Sequence, residues 1–176
     1  MLVEYNTLRI RNAAAKDAAQ LAAWWNDGRV MAHAGFPNGL GISAEEIAGA
    51  LEQDSDEIRR RLIMEKDGAP IGETSYRSVG GDTAEIGIKI CDFSMQDKGL
   101  GKVLLSMLIG SLFNEYGYKR IVLDTNLNNK RAQHVYEELG FKKTGVRMNC
   151  WRDQLGVLQS AVDYELYPDG FISFCR

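Results

Sequence analysis

Gln96-Asp97-Lys98-Gly99-Leu100-Gly101 is the stretch of this chain best suited to chemistry, because it enters a strongly apolar helical pattern directly after an extended one. A helix start exposes about four unpaired N–H groups and the positive end of the helix dipole, so a turn leading into it is a preformed anion site. Gly99 and Gly101 lack the Cβ atoms that would keep a phosphate from those N–H groups, and Lys98 and Lys102 add positive charge at the rim. Two glycines can equally do no more than tighten a strand-to-helix turn, and that reading stands beside the first. A Walker phosphate loop is excluded, since no Gly-x-x-x-x-Gly-Lys-Ser/Thr run occurs. A dinucleotide fingerprint fits poorly as well, for the third glycine is missing and the preceding strand is the third of a meander.

The composition removes several other chemistries. Two His (His33, His134) and three Cys (Cys91, Cys150, Cys175) are scattered without CxxC or HxxxH spacing, which argues against a zinc site. An odd number of distant cysteines also argues against a disulfide framework and for a reducing, cytoplasmic setting. Twenty-four acidic against 21 basic residues give a net charge of −3, which disfavours nucleic acid as a partner. No apolar leader opens the chain and nowhere do about 18 apolar residues run together, so neither a signal peptide nor a membrane span is expected.

The elements that must position the loop can be read from periodicity. With no repeat and no linker, residues 1–176 read as one domain, its core over about 7–166 and a C-terminal tail over 167–176. Leu8 to Arg11 alternates as a half-buried strand, and Ala13 to Asn26 carries Ala18, Leu21, Ala22 and Trp25 at helical spacing. Gly28 to Gly41 has loop chemistry, and Ser43-Ala-Glu-Glu46 is a capping box for a helix to about Leu51. From about Arg60 to Cys91, Asp67-Gly68 and Gly80-Gly81-Asp82 join three strands into an antiparallel meander. After Gly101 the apolar residues Leu100, Val103, Leu104, Met107, Leu108 and Leu112 predict a deeply buried helix. Ile121 to Thr125 reads as a strand, Asn129 opens a helix that Gly140 ends, and two strands over about Lys143–Arg152 and Val157–Leu166 close the order βααβββαβαββ.

Taken together these pieces resemble the GNAT superfamily of acetyl-coenzyme A dependent N-acetyltransferases. Gln96-x-x-Gly99-x-Gly101 is similar to its pyrophosphate loop. Asn129-x-x-Ala132-x-x-x-Tyr136-Glu-x-Leu139-Gly140-Phe141 resembles its second motif, seven positions fixed across thirteen residues. Ala84-Glu-Ile-Gly87 and the terminal hairpin Arg147 to Leu166 look most like the branch holding the ribosomal-protein alanine, spermidine and aminoglycoside acetyltransferases. One departure is a residue too many between Gly87 and Gln96, around Cys91 to Ser94. The resemblance implies a mixed α/β (α+β), three-layer fold: a mostly antiparallel sheet of about seven strands with helices on both faces.

It also implies roles. The amides of Gln96, Asp97, Lys98, Gly99, Leu100, Gly101 and Lys102 would hold the pyrophosphate of acetyl-coenzyme A. Backbone groups of Ile88, Lys89 and Ile90 would pair with its pantetheine arm as with an added strand. Asn129 would cap its helix and reach the cofactor beside Ala132. Tyr136 would be the general acid for the departing thiolate, since a phenol with a reference pKa of about 10 stays protonated at pH 7. The acceptor ammonium must lose a proton, and Glu85, set within an apolar strand, is the candidate base if burial raises its pKa; a place on the solvent face is the competing reading.

Trp25 reads as core from its spacing, which leaves Trp24 and Asp27, with Phe36 and Trp151, as candidate walls for the acceptor. His134 falls on the helix face away from Tyr136, and Cys91 has no His nearby to serve a covalent intermediate. The expectation is direct transfer to a primary amine, either a small cationic amine or a peptide N-terminus, with no metal. A coenzyme A binding module without turnover and a transferase for another acyl donor are the alternatives. Phe171, Ile172 and Phe174 make the tail apolar enough to predict docking on a second chain, hence a homodimer.

Overall fold

Leu8 and Ile10 point inward and Arg9 outward, the alternation a one-faced strand requires, in a computed structural model that describes residues 1–175. The strands are β1 (Leu2–Tyr5), β2 (Leu8–Asn12), β3 (Arg59–Lys66), β4 (Ala69–Ser78), β5 (Thr83–Ile90), β6 (Arg120–Asn126), β7 (Lys142–Arg152) and β8 (Leu158–Leu166). The helices are α1 (Ala18–Trp25), α2 (Gly28–Met31), α3 (Ala44–Leu51), α4 (Leu100–Asn114) and α5 (Lys130–Glu138). All eight strands form one sheet in the order β1-β2-β3-β4-β5-β6-β8-β7, antiparallel except for β5 with β6. Helices cover both faces: α4 and α5 bury Leu104, Leu108, Tyr136 and Leu139 against one, while α1 and α3 bury Leu21, Trp24, Ile47 and Leu51 against the other.

The sheet has eight strands where about seven were expected. The addition is β1, paired to β2 through a turn that Asn6 makes at φ 53°. Four residues carry too little alternation to announce a strand when only one residue of each pair is half covered. The expected loop over Gly28 to Gly41 contains α2 and a further 3-10 turn at Ala32–Ala34; Asp27 nucleates the first by accepting from the Arg29 N–H at 2.8 Å. The capping box of α3 forms as read, with Ser43 and Glu46 each accepting the other's backbone N–H at 3.2 and 2.8 Å.

The tail docks on its own chain. Phe171 packs edge-on against Phe113 of α4 with ring centroids 6.0 Å apart, Ile172 N–H donates to Leu139 O at 3.0 Å, and Phe174 N–H donates to Ser106 Oγ at 2.9 Å. Apolar residues that were expected to seek a second subunit are thus partly covered within one, and Ile172 alone of the three stays exposed, at 50%. The tail also crowds the end of α5. Gly140 sits at φ 95°, and a Cβ there would lie 1.9 Å from Gly170 O. Gly140→Ala is therefore expected to cost about 3 kcal/mol, the sum of left-handed strain and overpacking, in urea unfolding; a loss below about 1 kcal/mol would contradict this packing.

Candidate active site

The sheet comes apart where chemistry needs room. β5 and β6 pair over only three residues, Thr83 with Arg120, Ala84 with Ile121 and Glu85 with Val122. Beyond Glu85, β5 stays with β4 as far as Ile90, while β6 stays with β8 as far as Asn126. The two facing edges therefore carry backbone groups with no partner across the gap, and an extended amide-bearing molecule could complete either ladder. The gap opens into a cleft of about 1360 Å³ that reaches the start of α4 at one end and α1 and β7 at the other.

At the α4 end the chain turns through two left-handed residues, Asp97 at φ 57° and Gly99 at φ 74°, the second being the N-cap. Such a turn gathers consecutive N–H groups around one concavity. Gly99 is explained by its φ. Gly101 is not: a Cβ there would meet nothing closer than Ile90 Cδ1 at 3.8 Å, so the fold itself does not ask for glycine. Close approach of a ligand does. Gln96 braces this loop, its amide donating to Ile90 O at 2.9 Å and accepting from Arg131 Nη1 at 3.1 Å, while Arg131 also pairs with Asp97 at 3.3 Å. Lys102 lines the cleft but is held by Glu138 at 3.0 Å; Lys98 belongs to the loop without lining the cleft.

α5 brings in the remaining polar groups. Asn129 caps it, Oδ1 accepting from the Ala132 N–H at 3.2 Å. The helix ends in a Schellman motif, with Phe141 N–H donating to Tyr136 O and Gly140 N–H to Glu137 O, both at 3.1 Å. The apolar contact that accompanies this motif is Tyr136 itself against Phe141, ring centroids 5.9 Å apart, with Tyr164 on the other side at 5.8 Å. Tyr136 is 7% exposed, its hydroxyl has no hydrogen bond to the described residues, and it lines the cleft. Burial, with a smaller contribution from the Asp124 charge, pushes the phenol up to about 12.

Ile88, Lys89, Ile90, Gln96, Asp97, Gly99, Leu100, Gly101, Asn129, Ala132, Tyr136, Glu85 and Trp151 all line this one cleft. Besides Lys98, three others do not. Trp24 is 9% exposed in the α1–α3 core, and Trp25 instead faces the cleft, its indole N–H donating to Glu73 Oε1 at 2.8 Å. The buried face of α1 runs Ala18, Leu21, Trp24 in steps of three, and helical spacing admits steps of three and four alike. Asp27 caps α2 and pairs with Arg29, and Phe36 lies outside the lining. Glu85 is in the cleft but 39% exposed, with both oxygens accepting from Arg77 Nη2 at 2.9 and 2.8 Å, so an arginine already claims the candidate base.

Sequence reading missed Trp25, Glu73 and Arg131. Glu73 had a signal: it lies in the run Ile71-Gly-Glu-Thr74 of a central strand, the same setting that drew attention to Glu85. Burial holds the Cys91 thiol up at about 12, which removes it as a nucleophile at neutral pH. Among the described residues no cluster of His, Cys, Asp and Glu could hold a metal ion, and no helix is long and apolar enough to cross a membrane.

Residues 7–142 match the acetyltransferase (GNAT) domain model, well over half of the chain, and the protein belongs to the GNAT acetyltransferase family. Among solved structures it is similar to the spermidine N-acetyltransferase of Vibrio cholerae in complex with CoA and spermine (TM-score 0.81, 21% identity, 93% of this chain and 97% of that one). It is also similar to the ribosomal-protein-S5-alanine acetyltransferase of Vibrio fischeri (0.82, 17%, 98% and 99%). A ribosomal L7/L12 α-N-protein acetyltransferase in complex with coenzyme A superposes at 0.85 with 17% identity over 97% and 99%. At these identities the likeness is one of fold. An uncharacterized protein of Methanocaldococcus jannaschii is 35% identical over 82 residues, 46% of this chain but only 17% of that relative's length.

Proposed function

We propose that the protein transfers the acetyl group of acetyl-coenzyme A directly to a primary amine, on a small cationic amine or a peptide N-terminus. The observation that carries this reading is the β5–β6 gap, with the glycine-bearing start of α4 at one end and the hydroxyl of Tyr136, unbonded among the described residues, along its wall. The amides of Gln96 to Lys102 hold the pyrophosphate, and the concavity at Gly99 and Gly101 has room for it. The edge of Ile88, Lys89 and Ile90 that faces the gap hydrogen-bonds the pantetheine amides, and an N–H of the same edge steadies the oxyanion of the tetrahedral intermediate. Tyr136 gives its proton to the sulfur as the C–S bond breaks; a phenol near 12 keeps that proton across the physiological range. Three cysteines without disulfide partners suit a reducing, cytoplasmic setting. The chemistry as written needs no second chain.

A thiol-release assay with acetyl-coenzyme A tests the reading. Release above the hydrolytic background is expected with at least one of spermidine, a tetrapeptide with a free α-amine, and N-acetyl-lysine amide. Tight coenzyme A binding without release across a broad amine panel would mean a binding module, and activity only with longer acyl-coenzyme A donors would mean another transferase.

A further inference from the structure

Asp17, Asp54, Glu65 and Glu73 each keep less than a tenth of the side chain exposed. Removing a carboxylate from water is costly unless its oxygens are hydrogen-bonded; Asp17 and Asp54 obey this on both oxygens, and Glu65 has a hydrogen bond on one and a guanidinium beside the other. Asp17 accepts from Arg11 Nη2 at 2.8 Å on Oδ1, and from Arg11 Nη1 at 2.7 Å and Ala14 N at 2.9 Å on Oδ2. Asp54 accepts from Arg61 Nη1 at 2.7 Å on one oxygen and from Arg61 N at 2.8 Å on the other. Glu65 has Arg11 Nε at 2.8 Å on Oε1 and Arg9 Nη1 at 3.8 Å beside Oε2.

Glu73 differs. Trp25 Nε1 at 2.8 Å and Lys89 Nζ at 3.0 Å both converge on Oε1, and Oε2 has no partner among the described residues. Nor is Oε2 sealed in, because Ser111 Oγ is the one fully enclosed side-chain polar atom without a partner among the described residues. Of the four carboxylates only Glu73 lines the cleft, so that is where Oε2 meets solvent. In register Glu73 stands opposite Lys89, one strand in from the β5 edge that faces the gap, on the same sheet face as Ser75 and Gly87. A rigid, desolvated carboxylate with one open acceptor is built to take a hydrogen-bond donor.

We infer that Glu73, and not Glu85, docks the acceptor amine and takes its first proton, with Trp25 and Lys89 fixing the carboxylate through Oε1. The inference rests on the transfer reaction proposed above. RNH3⁺ donates to Oε2 and passes one proton to it. The freed nitrogen lone pair attacks the thioester carbon, the C–S bond breaks, and the new amide nitrogen loses its second proton. One of the two protons replaces the one that Tyr136 gives to sulfur, and the other leaves to solvent, so that RNH3⁺ and acetyl-coenzyme A become the amide, coenzyme A and H⁺. Lys89 favours the first step, because a second cation close to its ammonium prefers the neutral amine. The groups around Glu73 are Lys89 and Cys91 toward β5, Ile63 opposite on β3 with Arg61, paired to Asp54, next along the same face, and Trp25 from α1.

Glu73→Gln is the test, since a glutamine oxygen can still accept from Trp25 and the fold is kept. The acceptor from the panel that turns over best is used, with kcat/KM for the amine measured from pH 6.5 to 10. The expected result is a drop of at least about tenfold at pH 7 with KM for acetyl-coenzyme A unchanged. That deficit should close as the pH nears the amine's own pKa, where no base is needed; a merely structural role would leave a deficit independent of pH. Glu85→Gln should stay within about threefold of wild type. A Glu73→Gln enzyme within threefold at pH 7, a deficit constant with pH, or collapse in Glu85→Gln instead would overturn the assignment while leaving the transferase reading intact. Wild-type protein that releases no thiol with any amine would overturn both.

Discussion

Tyr136→Phe should lower kcat by about a hundred- to a thousandfold while leaving coenzyme A binding and stability unchanged. The separation is expected because the ring and the hydroxyl do different things. The ring closes the Schellman end of α5 and packs on Phe141 and Tyr164, and phenylalanine keeps all of that. Among the described residues the hydroxyl has no hydrogen-bond partner, so its loss leaves no buried partner stranded, and the usual penalty of a few kcal/mol for an orphaned group does not arise. What disappears is the proton for the thiolate, which then has to leave as an anion in a site where an anion is poorly solvated. Stopped or continuous thiol-release kinetics with a coenzyme A binding titration distinguish the outcomes: an unchanged kcat with a good acceptor would remove Tyr136 from the chemistry.

Gly101→Val should abolish the stabilisation that acetyl-coenzyme A gives. At a hundredfold excess over Kd, a ligand bound only by the folded state adds about 2.7 kcal/mol. For a chain of this size that is a rise in Tm of roughly 5–10 °C. Valine at the second position of α4 costs the apo protein little, since the first side-chain atom meets only Ile90 Cδ1 at van der Waals distance and valine's helix propensity is no worse than glycine's. The variant should therefore melt near wild type without ligand and fail to respond to it. A normal ligand shift in the folded variant would place the phosphates elsewhere.

Local chemistry was the most legible part of the sequence. The capping box at Ser43 and Glu46, the glycine stop at Gly140 and the turns at Asp67-Gly68 and Gly80-Gly81 are settled by neighbours within a few residues, and they form as read. The glycine turn into α4 and the place of Tyr136 at the end of α5 were legible for a related reason: a helix start and a helix end are local events. Long-range pairing was not. Which of Trp24 and Trp25 faces the core depends on a carboxylate 48 residues away, and the exposure of Glu85 depends on Arg77 across the hairpin. Periodicity marks a face as apolar or polar without saying what stands opposite, so an acidic residue in an apolar strand looks alike whether an arginine claims it, as at Glu85, or half of it is left open, as at Glu73.

The docked tail makes the two ends of this polypeptide unequal for anyone handling it. Its backbone is tied to Leu139 at the end of α5 and to Ser106 within α4, and the Lys102 ammonium lies 4.7 Å from the centre of the Phe174 ring. Those two helices carry the hydroxyl and the amides of the site. A fusion partner or affinity handle appended after residue 176 would therefore pull on the scaffold behind both, whereas one placed before Met1 would extend from β1, an edge strand that packs on α4.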